Sequence, residues 1–201
     1  MTRQLFCSFA LAAALLGTDA DTKYLELVKR AQAADTTLDF KELRFSCVEA
    51  SHCDARGDSK DMLALRRAFQ EKHFKDAAKL GERLIDKGFP NIEAHILCAR
   101  AYESLGKTDD AVSHERIAKG LISSILNSGD GKSRETAFVV IGTFEEYLTA
   151  SVLGLPRPTS QSLVAGKPHS YDLLVVNDPK SGEKIELYFN IDAFFPMKGL
   201  R

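Results

Sequence analysis

Between Asp21 and Leu155 apolar residues recur at steps of three and four, the period of an amphipathic helix. Tyr24, Leu27, Val28 and Ala31 line a first helix. Phe40, Leu43 and Cys47 line a second, opened by a capping box of Asp39 and Glu42. A polar stretch, Glu49 to Ser59, reads as a loop. Met62, Leu65 and Phe69 begin a third helix. Ala77, Leu80, Gly81 and Leu84 line a fourth that ends at Gly88-Phe89-Pro90, and Ile92, Ile96 and Ala99 line a fifth that ends near Gly106. Thr108 caps a sixth, with Ala111, Ala118, Leu121 and Ile125 along one side. Ser133 opens a seventh, long helix to Leu155, with Phe138, Ile141, Leu148 and Val152 on one face.

After Leu155 the period changes to two. Pro156, Pro158 and Pro168 mark a linker over 156–170. Tyr171 to Val176 and Lys184 to Asp192, joined by the turn NDPKSG, read as a β-hairpin, with Ile185, Leu187, Phe189 and Ile191 on one face. A lone hairpin is marginal in water, so it must pack on the helices or take a third strand near Leu163-Val164. The expected fold is mostly α with a small C-terminal β-hairpin (α+β): a helical region at 21–155, the linker, and a hairpin subdomain at 171–201 packed on the helices.

Within the helices lies a repeat. Ala77 and Ala111 are 34 residues apart, as are Ala68 and Tyr102. The segment AYESLGKTDDA resembles the middle of a tetratricopeptide repeat, over roughly residues 60–125. Lys72 stands where the first repeat would have its glycine. This resemblance implies stacked helix pairs and a groove for a protein or peptide partner.

The N-terminus adds an address. Arg3 precedes the uncharged apolar run Leu5 to Gly17, and Thr18-Asp19-Ala20 puts small residues at the −3 and −1 positions. Residues 1–20 are expected to be a cleaved signal peptide. The run is shorter than the roughly 20 residues of a membrane-spanning helix. Cys7 lies inside it rather than at the cleavage point, which excludes a lipid anchor. A periplasmic or secreted protein is expected, with no transmembrane segment in the mature chain. A hydrophobic fraction of 44% and a charged fraction of 27% are those of a globular chain. The formal net charge is −1, without the basic excess that holds nucleic acid.

An oxidising compartment makes Cys47 and Cys53 disulfide candidates, while Cys98, in an apolar helical stretch, reads as a buried thiol. Cys47, His52 and Cys53 lack a fourth ligand, so no metal is expected. GDGKS (129–133) looks like a phosphate loop but has Leu126 where the first glycine belongs, and a helix rather than a strand before it; no nucleotide or other cofactor is expected. Arg56-Gly57-Asp58 reads as a turn.

Polar residues on apolar faces are the remaining candidates. Glu145 falls on the apolar face of the long helix, with Glu146 on its polar side; Glu135, Gly142 and Glu146 share another stripe. His114 falls on the apolar face of the helix before. His114 and Glu145 are equidistant from the turn at Gly129-Asp130, which predicts a hydrogen bond between them or a shared buried Arg or backbone partner. The simplest role is a polar pin for helix register. A general acid/base pair is the alternative, but without a nucleophile or oxyanion site it assigns no catalytic residue. His169, Asn190 and Asp192 are further cleft candidates.

Three stretches, YLELVKRAQAADTTLDFKELR, SGDGKSRETAFVVIGTFEEYL and YDLLVVNDPKSGEKIELYFNID, resemble an uncharacterised exported bacterial family, domain of unknown function 4919. The resemblance implies helices followed by a C-terminal hairpin and draws attention to Asp130, Lys132, Ser133, Glu135, Glu145, Glu146, Asn190 and Asp192. It carries no activity. The expected function is a non-enzymatic protein- or peptide-binding module of the envelope; the alternative is a periplasmic hydrolase using His114 or His169 with Glu145.

Overall fold

A computed structural model describes residues 18–56, 59–166, 168–178 and 181–195; the apolar run of the expected signal peptide lies outside them. The chain forms α1 (Asp19–Gln32), α2 (Phe40–Glu49), α3 (Ser59–Gln70), α4 (Phe74–Lys87), α5 (Ile92–Ser104) and α6 (Thr108–Leu126). After these come β1 (Phe138–Val139), α7 (Thr143–Val152), β2 (Ser160–Ala165), β3 (Ser170–Asn177) and β4 (Lys184–Asn190). The fold is mostly α with a small C-terminal sheet.

Helix ends follow local chemistry. Thr18 and Asp21 cap α1 reciprocally. The Asp39 carboxylate accepts from the Lys41 and Glu42 amides, but the Glu42 side chain pairs with Lys23 instead of closing the box. Thr108 is the first residue of α6 rather than its cap, and no side chain caps that end. The turns after α3 and α5 are copies 34 residues apart. His73 N donates to Ala68 O as Lys107 N does to Tyr102 O, and Lys72 N to Phe69 O as Gly106 N does to Glu103 O. Both turns need a left-handed residue, Lys72 at φ 60° and Gly106 at φ 71°. The helix pairs α3/α4 and α5/α6 pack in succession, with α5 touching both α3 and α4.

The expected long seventh helix is corrected. Residues 127–142 are a loop and the short strand β1, and α7 begins only at Thr143, so Ser133 caps no helix and Glu135 shares no helical stripe with Glu146. The run Phe138 to Ile141 is apolar throughout, a pattern that a buried strand and a buried helix share. Here β1 pairs in parallel with β4, Phe138 opposite Phe189, a non-local partner that local periodicity does not encode. The sheet order is β1-β4-β3-β2, with β2–β3 and β3–β4 antiparallel. β2 lies inside the stretch read as linker; its polar start, Ser160-Gln161-Ser162, hides an edge strand. Leu174, Leu187, Phe189 and Ile191 join Leu121 and Ile125 of α6 in one core. Helix α6 is the hub, touching α2, α5, α7 and β1.

Candidate functional site

The two carboxylates of α7 are both buried, each with its own partners. Glu145 does not meet His114. Its Oε1 accepts from Arg44 Nε at 2.8 Å, and its Oε2 accepts from Arg44 Nη2 and from the Ile141 amide at 2.9 Å. Arg44 also donates to the Val139 carbonyl at 2.9 Å and to Ser124 Oγ at 3.1 Å, so a fully buried ion pair is closed on every side. The shared buried arginine is thus found, but without the histidine.

Glu146, expected on a polar face, is buried beside Gln161 of β2 and Asp172 of β3. Gln161 Nε2 of β2 donates to Glu146 Oε2 at 3.1 Å and to Asp172 Oδ2 of β3 at 2.6 Å, while Tyr147 donates to Gln161 Oε1 at 2.7 Å. Burial, reinforced by the neighbouring Asp172 charge, pushes the Glu146 carboxyl up to about 9. Glu146 and Asp172 thus share the Gln161 amide, and Glu146 Oε1 is buried without a hydrogen-bond partner among the described residues.

The loop residues form a structural clamp. Asp130 Oδ1 accepts from the Lys132 amide at 3.0 Å and from Thr136 Oγ1 at 2.6 Å, and the Asp130 and Gly131 amides both donate to Thr136 O. The Thr136 hydroxyl holds the Asp130 carboxyl below its ordinary range. Gly131, at φ 69°, offers its carbonyl to the Tyr188 amide of β4; a Cβ here would strike the Phe138 ring. Ser133 Oγ lies 3.3 Å from Thr136 Oγ1, while Lys132 and Glu135 are exposed. At the far end of β4, Asp192 accepts from the Ser170 amide at 2.9 Å and meets His169 Nδ1 at 2.5 Å, and Asn190 Oδ1 accepts from the Asp192 amide at 3.1 Å. Loop, α7 carboxylates and strand end are therefore separate clusters.

His114 belongs to another cluster, between α4, α5 and α6. Its Nε2 lies 3.0 Å from Glu82 Oε1, and its Nδ1 lies 3.0 Å from Nδ1 of the buried His95, whose Nε2 meets the Phe89 carbonyl at 2.9 Å. Tyr102 donates to the same Glu82 oxygen at 2.8 Å and stacks on the His114 ring. The hydrogen bond from His114 lowers the Glu82 carboxyl, and burial pushes the His95 imidazole down to about 3 and the Cys98 thiol up to about 12. A pocket of about 280 Å³ opens onto Glu82, His95 and His114.

A second concavity, of about 420 Å³, is lined only by α5 and α6. Ile96, Ala99, Ala111, Val112, Ala118 and Ile122 give it an apolar floor, and Arg100, Glu103, Glu115 and Lys119 rim it. Cys47 and Cys53 form a disulfide that ties the end of α2 to the following loop.

The family model of the domain of unknown function DUF4919 matches residues 14–198. The chain belongs to the DUF4919 family. No curated protein and no solved structure matches it. Two family-like stretches carry these contacts: SGDGKSRET holds the loop clamp against β4, and Glu145 pairs with Arg44. Arg44 sits between Leu43 and Cys47 on the buried side of α2, and nothing in the local pattern marks it as the partner of Glu145. Glu82 and His95 lie one to a helix with no local motif, and Tyr102 is legible only as a repeat position, not as a partner of Glu82.

Proposed function

We propose that this DUF4919 protein is an exported binding module that seats an amphipathic helix of a protein partner in the groove between α5 and α6. The observation that carries the reading is the open end of the helix stack. α5 lies against α3 and α4, and the next equivalent face, on α5 and α6, is an apolar trough with Val112 56% exposed. The 34-residue copy of turn hydrogen bonds makes this the place where a further helix pair would stack. The tetratricopeptide-like pattern and the mixed charges of the rim fit a helical partner with complementary charges. The Cys47–Cys53 disulfide supports an oxidising compartment, in keeping with the N-terminal apolar run. The hydrolase alternative gains no support: Arg44 occupies Glu145, and His114 faces Glu82 instead.

The test places a photocrosslinking residue at Val112 of the full chain in the producing bacterium, with Leu63, on α3 and equally open to solvent, as control. The expected outcome is one protein partner whose crosslinked peptide maps to a helix, abolished by Arg100→Glu/Lys119→Glu and absent from Leu63. Crosslinks only to a second copy, or equal at both positions, overturn the reading. Export is tested by the mass of the recovered chain, expected to begin at Asp21; an intact Met1 chain confined to the cytosol overturns that part.

A further inference from the structure

Around His114 the hydrogens do not add up without a cation. The Phe89 carbonyl and the Glu82 carboxylate only accept, so Nε2 of His95 and Nε2 of His114 each need a hydrogen for their contacts of 2.9 and 3.0 Å. The Nδ1–Nδ1 contact of 3.0 Å between the rings needs one more. Three contacts need three hydrogens, and two neutral imidazoles carry two. The additional positive centre is a proton or a metal ion.

Cys98 favours the metal. A proton accounts for the Glu82–His114 contact but leaves the sulfur beside it with only a long hydrogen bond to the Ala78 carbonyl, at 3.8 Å. Cys98 is the free cysteine among the described residues and is fully buried. Its Sγ, a Glu82 oxygen and a His114 nitrogen all lie within 4.8 Å of one another. α4 approaches close enough to admit this only because residue 81 is glycine: a Cβ there would fall 2.2 Å from Cys98 Sγ. The three donors come from three rigid helices, α4, α5 and α6. One sulfur, one imidazole and one carboxylate suit zinc, whereas calcium and magnesium take oxygen sets. The outer contacts are those of a metal site. His114 presents Nε2 while its Nδ1–H is held by His95, which is anchored on the Phe89 carbonyl, and Tyr102 steadies the Glu82 oxygen at 2.8 Å. The pocket over Glu82, His95 and His114 provides an entry path and room for a water. The ligands follow one another at 16-residue steps, one per helix, a spacing that matches no local zinc motif.

We propose that Glu82, Cys98 and His114 bind a zinc ion, with a water in the adjoining pocket as the fourth ligand. Zinc displaces the proton shared by Glu82 and the histidines and the proton of the Cys98 thiol. Two positive charges replace two protons, and the site is neutral before and after, as burial requires. The proposal is independent of the α5/α6 groove.

The test uses the untagged full chain, freed of metal with a chelator and titrated with cobalt(II), then with zinc as competitor. The expected result is one equivalent bound, with tetrahedral visible bands and a sulfur-to-cobalt charge-transfer band that zinc abolishes. With Cys47 and Cys53 oxidised and Cys7 replaced by serine (Cys7→Ser), that band reports Cys98 alone. Cys98→Ala should lose it, and His114→Gln and Glu82→Gln should bind about tenfold or more weakly. Zinc should raise the unfolding midpoint of the native chain but not of Cys98→Ala, whose fold is checked by circular dichroism. Binding without a sulfur band, binding unchanged in Cys98→Ala, or no binding at micromolar metal overturns the proposal and leaves a proton at His114.

Discussion

Lys72 and Gly106 hold the same place in equivalent turns, after α3 and after α5, but only glycine is suited to it. Both residues are left-handed, at φ 60° and 71°, and both turns carry the same hydrogen bonds. A side chain in that region is strained by roughly 1–2 kcal/mol. Lys72→Gly should therefore stabilise the chain by about 0.5–1 kcal/mol. Gly106→Ala should destabilise it by about 1 kcal/mol. Nothing lies within 4 Å of a Cβ built at Gly106, so that variant measures backbone strain alone. Urea unfolding of the two variants checks both signs; a neutral Gly106→Ala would mean the turn is not held left-handed in solution.

At the scale of elements, α7 depends on a protonated carboxyl facing the sheet. The Glu146 carboxyl, ordinarily near 4.5, is pushed up to about 9 by burial and by Asp172. The folded chain then holds a proton that the unfolded chain releases above its ordinary range. The stability this confers is complete below about pH 4.5 and is lost as pH rises toward about 9. Glu146→Gln, which copies the protonated acid, should fold normally and flatten the fall in unfolding midpoint between pH 5 and 9; an unchanged slope would place the proton elsewhere. The same element shows how far pattern reading reaches. Helices α1 to α6 and the β3–β4 hairpin were legible because each shows its period over several turns or a full strand. β2 was legible only as Leu163-Val164, the apolar end of an edge strand. α7 was drawn too long because Phe138 to Ile141 satisfies both periods, and its pairing with Phe189 is set by residues some fifty positions away. Glu145 was legible as a buried acid needing a cation. Its partner was not, because the choice between His114 and Arg44 depends on how α2 crosses α6, which neither helix's own sequence states.

Across the whole molecule, Arg44 and Glu145 fasten the helical half to the sheet half, 101 residues apart in sequence. Breaking a buried pair strands one charge, so Arg44→Ala should destabilise by about 3–5 kcal/mol. Replacing both by apolar residues, Arg44→Met with Glu145→Leu, should recover most of that loss, since neither charge is then left alone. Denaturant unfolding of the single and double variants decides it; an Arg44→Ala loss under about 1 kcal/mol would mean the pair is not buried as described. The strand order has a consequence in time rather than in energy. The last strand of the described chain, β4, lies inside the sheet between β1 and β3, and the Gly131 carbonyl waits for its Tyr188 amide. A chain delivered amino-terminus first therefore cannot complete this sheet until Lys184–Asn190 has emerged, so β1 and β3 wait for a strand made after both of them.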